Sequence, residues 1–142
     1  MSSVCTTIDI KTIEKSFTGE QTGALSFFES LNDIPFEIKR IYYITNVKKG
    51  SVRGYHAHKA LKQFIFCPYG KIELCLENKY GNESIILSNN SKGVYIDCVT
   101  WRTMKWLVDN SVLIVAASDY YDEKDYIRDY KTFKKIIRSE KI

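Results

Sequence analysis

The sequence is short of the residues that build metal centres and disulfide frameworks. Its 142 residues include only two histidines, so a three-ligand zinc or iron site would need a carboxylate or thiolate from elsewhere in the chain. The four cysteines, Cys5, Cys67, Cys75 and Cys98, show no C-x-x-C spacing and lie in apolar segments, which is typical of buried free thiols. We therefore expect no catalytic metal.

Long apolar runs and a strong charge of one sign are also missing. No run approaches the ~18 apolar residues of a membrane span, and residues 1–10 lack the basic start and apolar core of a signal peptide. The net charge of +4 is mild, and the basic cluster at Lys134, Lys135, Arg138 and Lys141 is expected to be a solvated helix face. The sequence thus predicts a cytoplasmic protein that binds neither nucleic acid nor membrane.

What the sequence does contain is a series of short β-rich runs broken by turn residues. The runs cover residues 41–47, 63–67, 71–76, 84–87, 93–96, 104–108 and 112–116. Residues that favour turns separate several of them, at 68–70, 79–82, 89–91 and 109–111. This spacing, without an internal repeat or a linker, predicts one all-β domain over residues 1–142.

The polarity of two runs indicates how the sheets are layered. Ile72, Leu74 and Leu76 alternate with polar or small residues, as expected when one face of a strand is buried. Residues 112–117 are apolar throughout, which is typical of a strand between two layers. A sandwich or barrel fits both patterns.

The two ends of the chain carry different patterns. Tyr126, Tyr130, Phe133 and Ile137 are spaced by four, three and four residues, which predicts one face of a C-terminal helix docked on the sheets. Near the other end, Ile8, Ile10, Leu25 and Phe27 suggest extra strands.

A metal-site frame without its full set of ligands lies in the segment Arg53-Gly54-Tyr55-His56-Ala57-His58. On a strand, His56 and His58 point to the same face about 6.5–7 Å apart, so the two rings can hold a metal or move protons. The frame resembles the first cupin motif, but Gln63 stands where that motif has an acid. The expected place of a third imidazole falls near Arg102, a permanent cation that cannot ligate a metal.

Three longer segments carry a more specific resemblance: Ile38-Lys39-Arg40-Ile41-Tyr42-Tyr43, residues 53–59, and Ala117-Ser118-Asp119-Tyr120-Tyr121-Asp122-Glu123 with its continuation to Tyr130. Together they resemble the nucleotide-sugar 3,4-ketoisomerases, from about residue 35 to 137. The resemblance implies an antiparallel cupin β-barrel or jelly roll with a short C-terminal helix. It also implies a homodimer without metal or other cofactor. The implied substrate is thymidine-diphosphate-4-oxo-6-deoxyglucose, whose carbonyl moves from C4 to C3.

The resemblance also implies a role for each catalytic residue. His56 is predicted to be the base at C3, His58 its proton partner or orienting group, and Tyr42 the active-site tyrosine. An imidazole suits this work because its ordinary pKa of about 6.5 lies near the working pH.

Further residues are assigned to substrate binding. Arg53 and Lys59 are expected to contact the diphosphate, and Gln63 to contact the substrate. Arg102 resembles the type that gives the gluco product, whereas Thr22, in a predicted turn with Gly23, matches neither product type. Trp101 and Trp106 are expected to be packing residues, and the segment 119–130 receives no catalytic role.

Other functions remain open at this stage. A 3,5-epimerase on the same substrate also uses a cupin barrel, a histidine base and a tyrosine acid. A cupin that only binds a nucleotide sugar would keep the pocket without turnover, and a metal-dependent cupin oxygenase would need a bound transition metal.

Overall fold

The computed structural model describes residues 3–17, 20–88 and 92–140, with the side chains of residues 14–22 excepted. The elements are β1 (Thr6–Asp9), β2 (Lys11–Phe17), β3 (Glu20–Phe27), β4 (Arg40–Ile44), β5 (Val52–His58), β6 (Gln63–Tyr69), β7 (Lys71–Asn78), β8 (Gly81–Ser88), β9 (Lys92–Ile96), β10 (Trp101–Trp106), β11 (Val112–Ala117), β12 (Tyr126–Ile127) and α1 (Tyr130–Glu140). One sheet has the order β1-β9-β6-β11-β4, a second has the order β12-β5-β10-β7-β8, and β2 and β3 form a separate hairpin. The predicted turn at residues 89–91 lies outside the described residues.

The two five-stranded sheets pack face to face, as in a cupin jelly roll, with antiparallel neighbours throughout. Ile72, Leu74 and Leu76 of β7 are at most 2% exposed, as their alternation predicts. They share one core with Ile65 and Leu113 from the opposite sheet. Burying each such side chain contributes roughly 1.5–3 kcal/mol to stability. The two packed sheets confirm the predicted all-β fold.

The C-terminal helix begins later than the periodic pattern predicts. Asp129 caps the helix, because its side chain accepts a hydrogen bond from the backbone N–H of Thr132 at 3.0 Å. The backbone carbonyl of Asp129 accepts from the N–H of Phe133. Phe133 and Ile137 are buried against the sheet, as predicted. The placement of Tyr126 on this helix is wrong, because it lies in β12 and pairs with His58.

Other local predictions have mixed outcomes. The cysteines are free, but only Cys67 is buried and the other three are half-buried. Thr22 does not lie in a turn, since its backbone belongs to β3, beside a register shift in the hairpin. Extra N-terminal strands are confirmed as β1 and β3. In the described part of the chain, no helix has the length and apolar character needed to cross a membrane.

Candidate active site

A bulge in β5 sets the direction of the histidine pair. Arg102 of β10 lies opposite His56, but the next residue, Thr103, lies opposite Gly54, so Tyr55 is an extra residue in β5. Gly54 and Tyr55 both have positive φ angles, +101° and +56°. A Cβ atom on Gly54 would lie 2.8 Å from the carbonyl oxygen of Arg102. The glycine of the motif therefore permits the close approach that places Arg102 beside the imidazoles.

The two imidazoles lie side by side with perpendicular planes. The ring centroids of His56 and His58 are 5.0 Å apart, and His58 is buried whereas His56 is half-buried. Tyr126 packs against both rings, with centroid distances of 5.1 Å to His56 and 4.4 Å to His58. The guanidinium of Arg128 covers the Tyr126 ring at 4.2 Å. The sequence prediction of two imidazoles on one strand face is thus realised in an aromatic cluster.

Both imidazoles are held through the same ring nitrogen. His56 Nδ1 is 3.1 Å from the carbonyl oxygen of Gly54, and His58 Nδ1 is 2.9 Å from a carboxylate oxygen of Asp125. A carbonyl and a carboxylate only accept, so each Nδ1 of a neutral ring carries the hydrogen and donates it. Each Nε2 then presents a lone pair, and both Nε2 atoms are buried without a hydrogen-bond partner among the described residues.

The surroundings keep both rings neutral. Burial, followed by the nearby Arg102 cation, lowers the pKa of His56 from 6.5 to about 4. Burial is also the main cause that lowers the pKa of His58 from 6.5 to about 2, again with Arg102 as the next cause. The Asp125 carboxylate oxygen lies 2.9 Å from Nδ1 of this ring. Neutral imidazoles can accept a proton, so this arrangement is that of a pair of bases.

Sequence reasoning missed Asp125 and Tyr126. Asp125 uses one oxygen for His58 and the other for the backbone N–H of Ala60, at 2.8 Å. The short strand β12 that follows it pairs with β5, which brings Tyr126 opposite His58. The only available signal was the density of acidic and phenolic residues in the segment 119–130. The many acidic and phenolic residues single out the segment, but they do not indicate which of them contacts the histidines.

Tyr42, Gln63 and Arg102 form a hydrogen-bonded chain between the two sheets. Arg102 donates from Nη1 to Gln63 Oε1 and from Nη2 to the carbonyl of Thr100, the latter at 3.0 Å. Gln63 Nε2 donates to the Tyr42 hydroxyl oxygen at 3.1 Å. Burial raises the pKa of Tyr42, so its phenol is protonated at neutral pH. The neighbouring Tyr43 is 70% exposed, whereas Tyr42 packs against the main hydrophobic core.

The remaining binding candidates are exposed or have side chains outside the described residues. Arg53 and Lys59 are exposed side chains, whereas the cations whose charge acts on the imidazoles are Arg40, Arg102 and Arg128. Thr22 lies on the β2–β3 hairpin, and its side chain is outside the described residues. Trp106 is fully buried, and Trp101 packs on Tyr130 and Phe133, as expected of packing residues.

A cavity of about 220 Å³ adjoins the buried histidine and is lined in part by Arg40, His58, Asp125 and Tyr126. Cavities of about 380 and 470 Å³ elsewhere on the molecule have no imidazole in their walls. Chemistry rather than volume therefore locates the site. No group of three or more metal-ligating side chains that could hold an ion occurs within residues 3–17, 20–88 and 92–140.

Two facing antiparallel sheets, with paired neutral imidazoles and a hydrogen-bonded tyrosine between them, define a cupin jelly roll. A family model described as FdtA: WxcM-like, C-terminal, matches residues 4–138. The chain belongs to this family of sugar 3,4-ketoisomerases, as the resemblance in its sequence implies.

Known proteins support this membership at the level of sequence and of structure. The TDP-4-oxo-6-deoxy-alpha-D-glucose-3,4-oxoisomerase of Aneurinibacillus thermoaerophilus is 41% identical over 118 residues, which are 83% of this chain and 85% of the relative. A crystal structure shows a histidine-to-asparagine variant of the 3,4-ketoisomerase QdtA from Thermoanaerobacterium thermosaccharolyticum in complex with TDP-4-keto-6-deoxyglucose. It matches with a TM-score of 0.85 and 37% identity, covering 98% of this chain and 97% of that one.

A more distant likeness concerns the fold alone. The rmlC epimerase of Mycobacterium tuberculosis has a TM-score of 0.69 and 13% identity, and the match covers 87% of this chain and 67% of the epimerase. The cupin fold predicted from the sequence is thereby confirmed, and the epimerase activity is not carried over.

Proposed function

We propose that this chain converts thymidine-diphosphate-4-oxo-6-deoxyglucose into the 3-oxo isomer. The observation that carries the proposal is the pair of buried imidazole Nε2 atoms, each held as an acceptor by a hydrogen bond at its Nδ1. Two such acceptors side by side suit a reaction that moves protons between neighbouring carbons. Family membership supplies the substrate class, because the relatives are sugar 3,4-ketoisomerases.

The reaction balances within the sugar itself. A base removes the hydrogen of C3, and the electrons of that bond move toward the C4 carbonyl, whose oxygen takes up a proton to give an enediol. The O3 hydrogen then leaves, and a proton is delivered to C4. One carbon is oxidised and its neighbour is reduced, so the reaction as proposed balances without an external oxidant or reductant.

His56 is proposed as the base at C3 and His58 as its proton partner. Tyr42 is proposed to hydrogen-bond the sugar oxygens. The gluco configuration of the product rests on Arg102, which lies opposite His56 and whose Nε is buried without a partner among the described residues. The diphosphate contacts of Arg53 and Lys59 and the role of Thr22 remain proposals that rest on the resemblance.

A coupled assay tests the proposal directly. The purified chain is incubated with the thymidine-linked 4-oxo sugar and a 3-aminotransferase, and the aminosugar is identified. The expected product is a 3-amino-3,6-dideoxyhexose, a kind of sugar that bacteria use in surface glycans. Tight binding of the thymidine nucleotide without any turnover would instead indicate a binding protein.

The rival epimerase reaction is separated by proton NMR in deuterated buffer. Isomerisation places the label at C4 of the product. Epimerisation places it at C3 and C5 and keeps the C4 carbonyl, which would contradict the proposal. A requirement for stoichiometric iron, manganese or nickel would favour the oxygenase alternative.

We also propose that the chain works as a cytoplasmic, single-domain homodimer. The β2–β3 hairpin belongs to neither large sheet and exposes Leu25 at 59%. The edge strand β4 exposes Ile41 at 60% and Tyr43 at 70%. Apolar side chains at a sheet edge are the kind of surface that a second copy covers.

Sedimentation equilibrium tests this assembly. The wild-type chain should have twice the mass of one copy, and the double variant Ile41→Glu/Tyr43→Glu should be monomeric. The matched control is Ile86→Glu, on the edge strand of the other sheet, which should leave the mass unchanged. A monomeric wild-type chain would contradict the dimer.

A further inference from the structure

Gln63 was expected to contact substrate, but its amide already has a protein partner at each end. Its Oε1 accepts from Arg102 and its Nε2 donates to Tyr42 at 3.1 Å. Gln63 is 0% exposed and Arg102 is 2% exposed, so water does not compete for the hydrogen bonds of the Gln63 amide. The chain of contacts joins β10 of one sheet to β6 and β4 of the other.

The direction of each hydrogen bond in this chain follows from the donor inventory of the side chains. Arginine has donors and no acceptor, so the oxygen of the Gln63 amide must face Arg102. The NH₂ group of the amide then faces Tyr42 and can only donate. The Tyr42 oxygen must therefore be the acceptor, and its own hydrogen is left free.

We propose that Gln63 is a positioning residue, which uses the fixed polarity of Arg102 to keep the Tyr42 hydroxyl hydrogen available for an oxygen of the sugar. The inference rests on the proposed function and deepens it, because it assigns the donor that meets the oxygen developing negative charge in the enediolate. Tyr42 touches the substrate, whereas Gln63 acts only through Tyr42.

Gln63→Glu reverses the polarity while keeping the shape. One carboxylate oxygen still accepts from Arg102, and the other can only accept from Tyr42, which turns the phenol hydrogen away from the sugar. We expect kcat to fall by about 10²-fold, the lower end for loss of an acid–base group, with KM nearly unchanged. Chelator is included throughout, since a carboxylate beside two imidazoles is a metal donor set.

A double-mutant cycle with Tyr42→Phe gives the decisive comparison. In the Phe background there is no hydroxyl to turn, so adding Gln63→Glu should cost no further activity. Losses that multiply would overturn the proposal, as would a raised KM with unchanged kcat, which would make Gln63 a substrate contact. If Gln63→Glu fails to fold by circular dichroism, the same cycle is run with Gln63→Met, which leaves the phenol without its donor.

A second readout does not depend on turnover. The ultraviolet titration is recorded for the wild-type chain, for Gln63→Glu and for each of these with Tyr42→Phe added. The difference made by Tyr42→Phe isolates the Tyr42 phenol among the ten tyrosines. Gln63→Glu should raise the pKa of that phenol, because a carboxylate replaces a donor beside it. An unchanged phenol titration would reject the contact. If the wild-type chain has no isomerase activity, the proposed function fails while this titration still tests the hydrogen-bond chain.

Discussion

The two sheets contribute opposite hydrogen-bonding character to the site. On the sheet that contains β5, His56 and His58 are backed by acceptors, the Gly54 carbonyl and the Asp125 carboxylate, so they offer lone pairs. On the opposite sheet, Tyr42 is backed by a donor, the Gln63 amide, so it offers a hydrogen. In a buried site, the partner behind a reacting group thus decides whether the group accepts or donates a proton.

Removing a lone pair from the histidine side should give the largest effect. His56→Asn should lower kcat by about 10²–10⁴-fold, the usual range for loss of a general base. Affinity for thymidine diphosphate, measured by calorimetry, should stay similar, because the substitution removes proton transfer and not the nucleotide contacts. His58→Asn serves as the comparison. Near wild-type turnover of His56→Asn would exclude His56 as the base.

Replacing the hydrogen-bond acceptor at Nδ1 of His58 with a donor should have the next largest effect. In Asp125→Asn, the amide oxygen can keep the bond to the Ala60 N–H, and the NH₂ group then faces His58 Nδ1. An NH₂ donor forces the hydrogen onto Nε2, so the lone pair is lost from the site. We expect kcat to fall roughly 10–100-fold, as is common when a group that orients a histidine is changed.

The tautomer of His58 can be read without an activity assay. The chain has only two histidines, so nitrogen-15 NMR of labelled imidazoles resolves two rings, and His56→Asn assigns them. Asp125→Asn should move the His58 hydrogen from Nδ1 to Nε2. Asp129→Asn is the matched control, because asparagine also caps helices and the Asp129 carboxylate accepts from Thr132. A change in kcat without a change of tautomer would assign Asp125 a structural role.

The parts of this comparison differ in how far sequence could predict them. The pairing of His56 and His58 on one face, the buried face of β7 and the buried residues Phe133 and Ile137 follow from local periodicity, and each was predicted. Periodicity needs only neighbours within a few residues. The same is true of the turn chemistry that separates the strands.

Contacts between segments far apart in the chain could not be predicted from one sequence. Asp125 and His58 are 67 residues apart, and Gln63 and Arg102 are 39 residues apart. Their meeting depends on strand pairing and on how the sheets pack. The β5–β10 pair shows how register can change, because the extra residue Tyr55 shifts it by one position. Tyr126 illustrates the same limit, since its spacing fits a helix while pairing with β5 holds it extended.

Arg102 contacts both sides of the comparison, so replacing it should lower kcat through Gln63 and Tyr42 and should also change the product. Arg102→His keeps a polar ring but no longer fixes the Gln63 amide, because a histidine nitrogen can also accept. If Arg102 shields one face of C4, the product should shift from the gluco toward the galacto isomer, as measured by NMR. An unchanged isomer ratio would reject that role.

The smallest effect near neutral pH should come from the low pKa of the bases. A base works only while neutral, and His56 is neutral above its pKa of about 4. The plot of kcat/KM against pH, which reports the free enzyme, should stay flat below pH 6.5 and fall only as pH drops through about 4. A loss centred near 6.5 would mean that the imidazole is neither buried nor opposed by Arg102.

Acid unfolding has to be separated from this loss. In the unfolded chain His56 has its ordinary pKa of 6.5, and in the folded chain about 4. The unfolded state therefore binds more protons between these values, so this contribution to stability is complete above pH 6.5 and declines as pH falls toward 4. Circular dichroism at each pH identifies the folded range. Within it, Arg102→Met should move the acid limb upward, because it removes the cation that, after burial, most opposes protonation of His56.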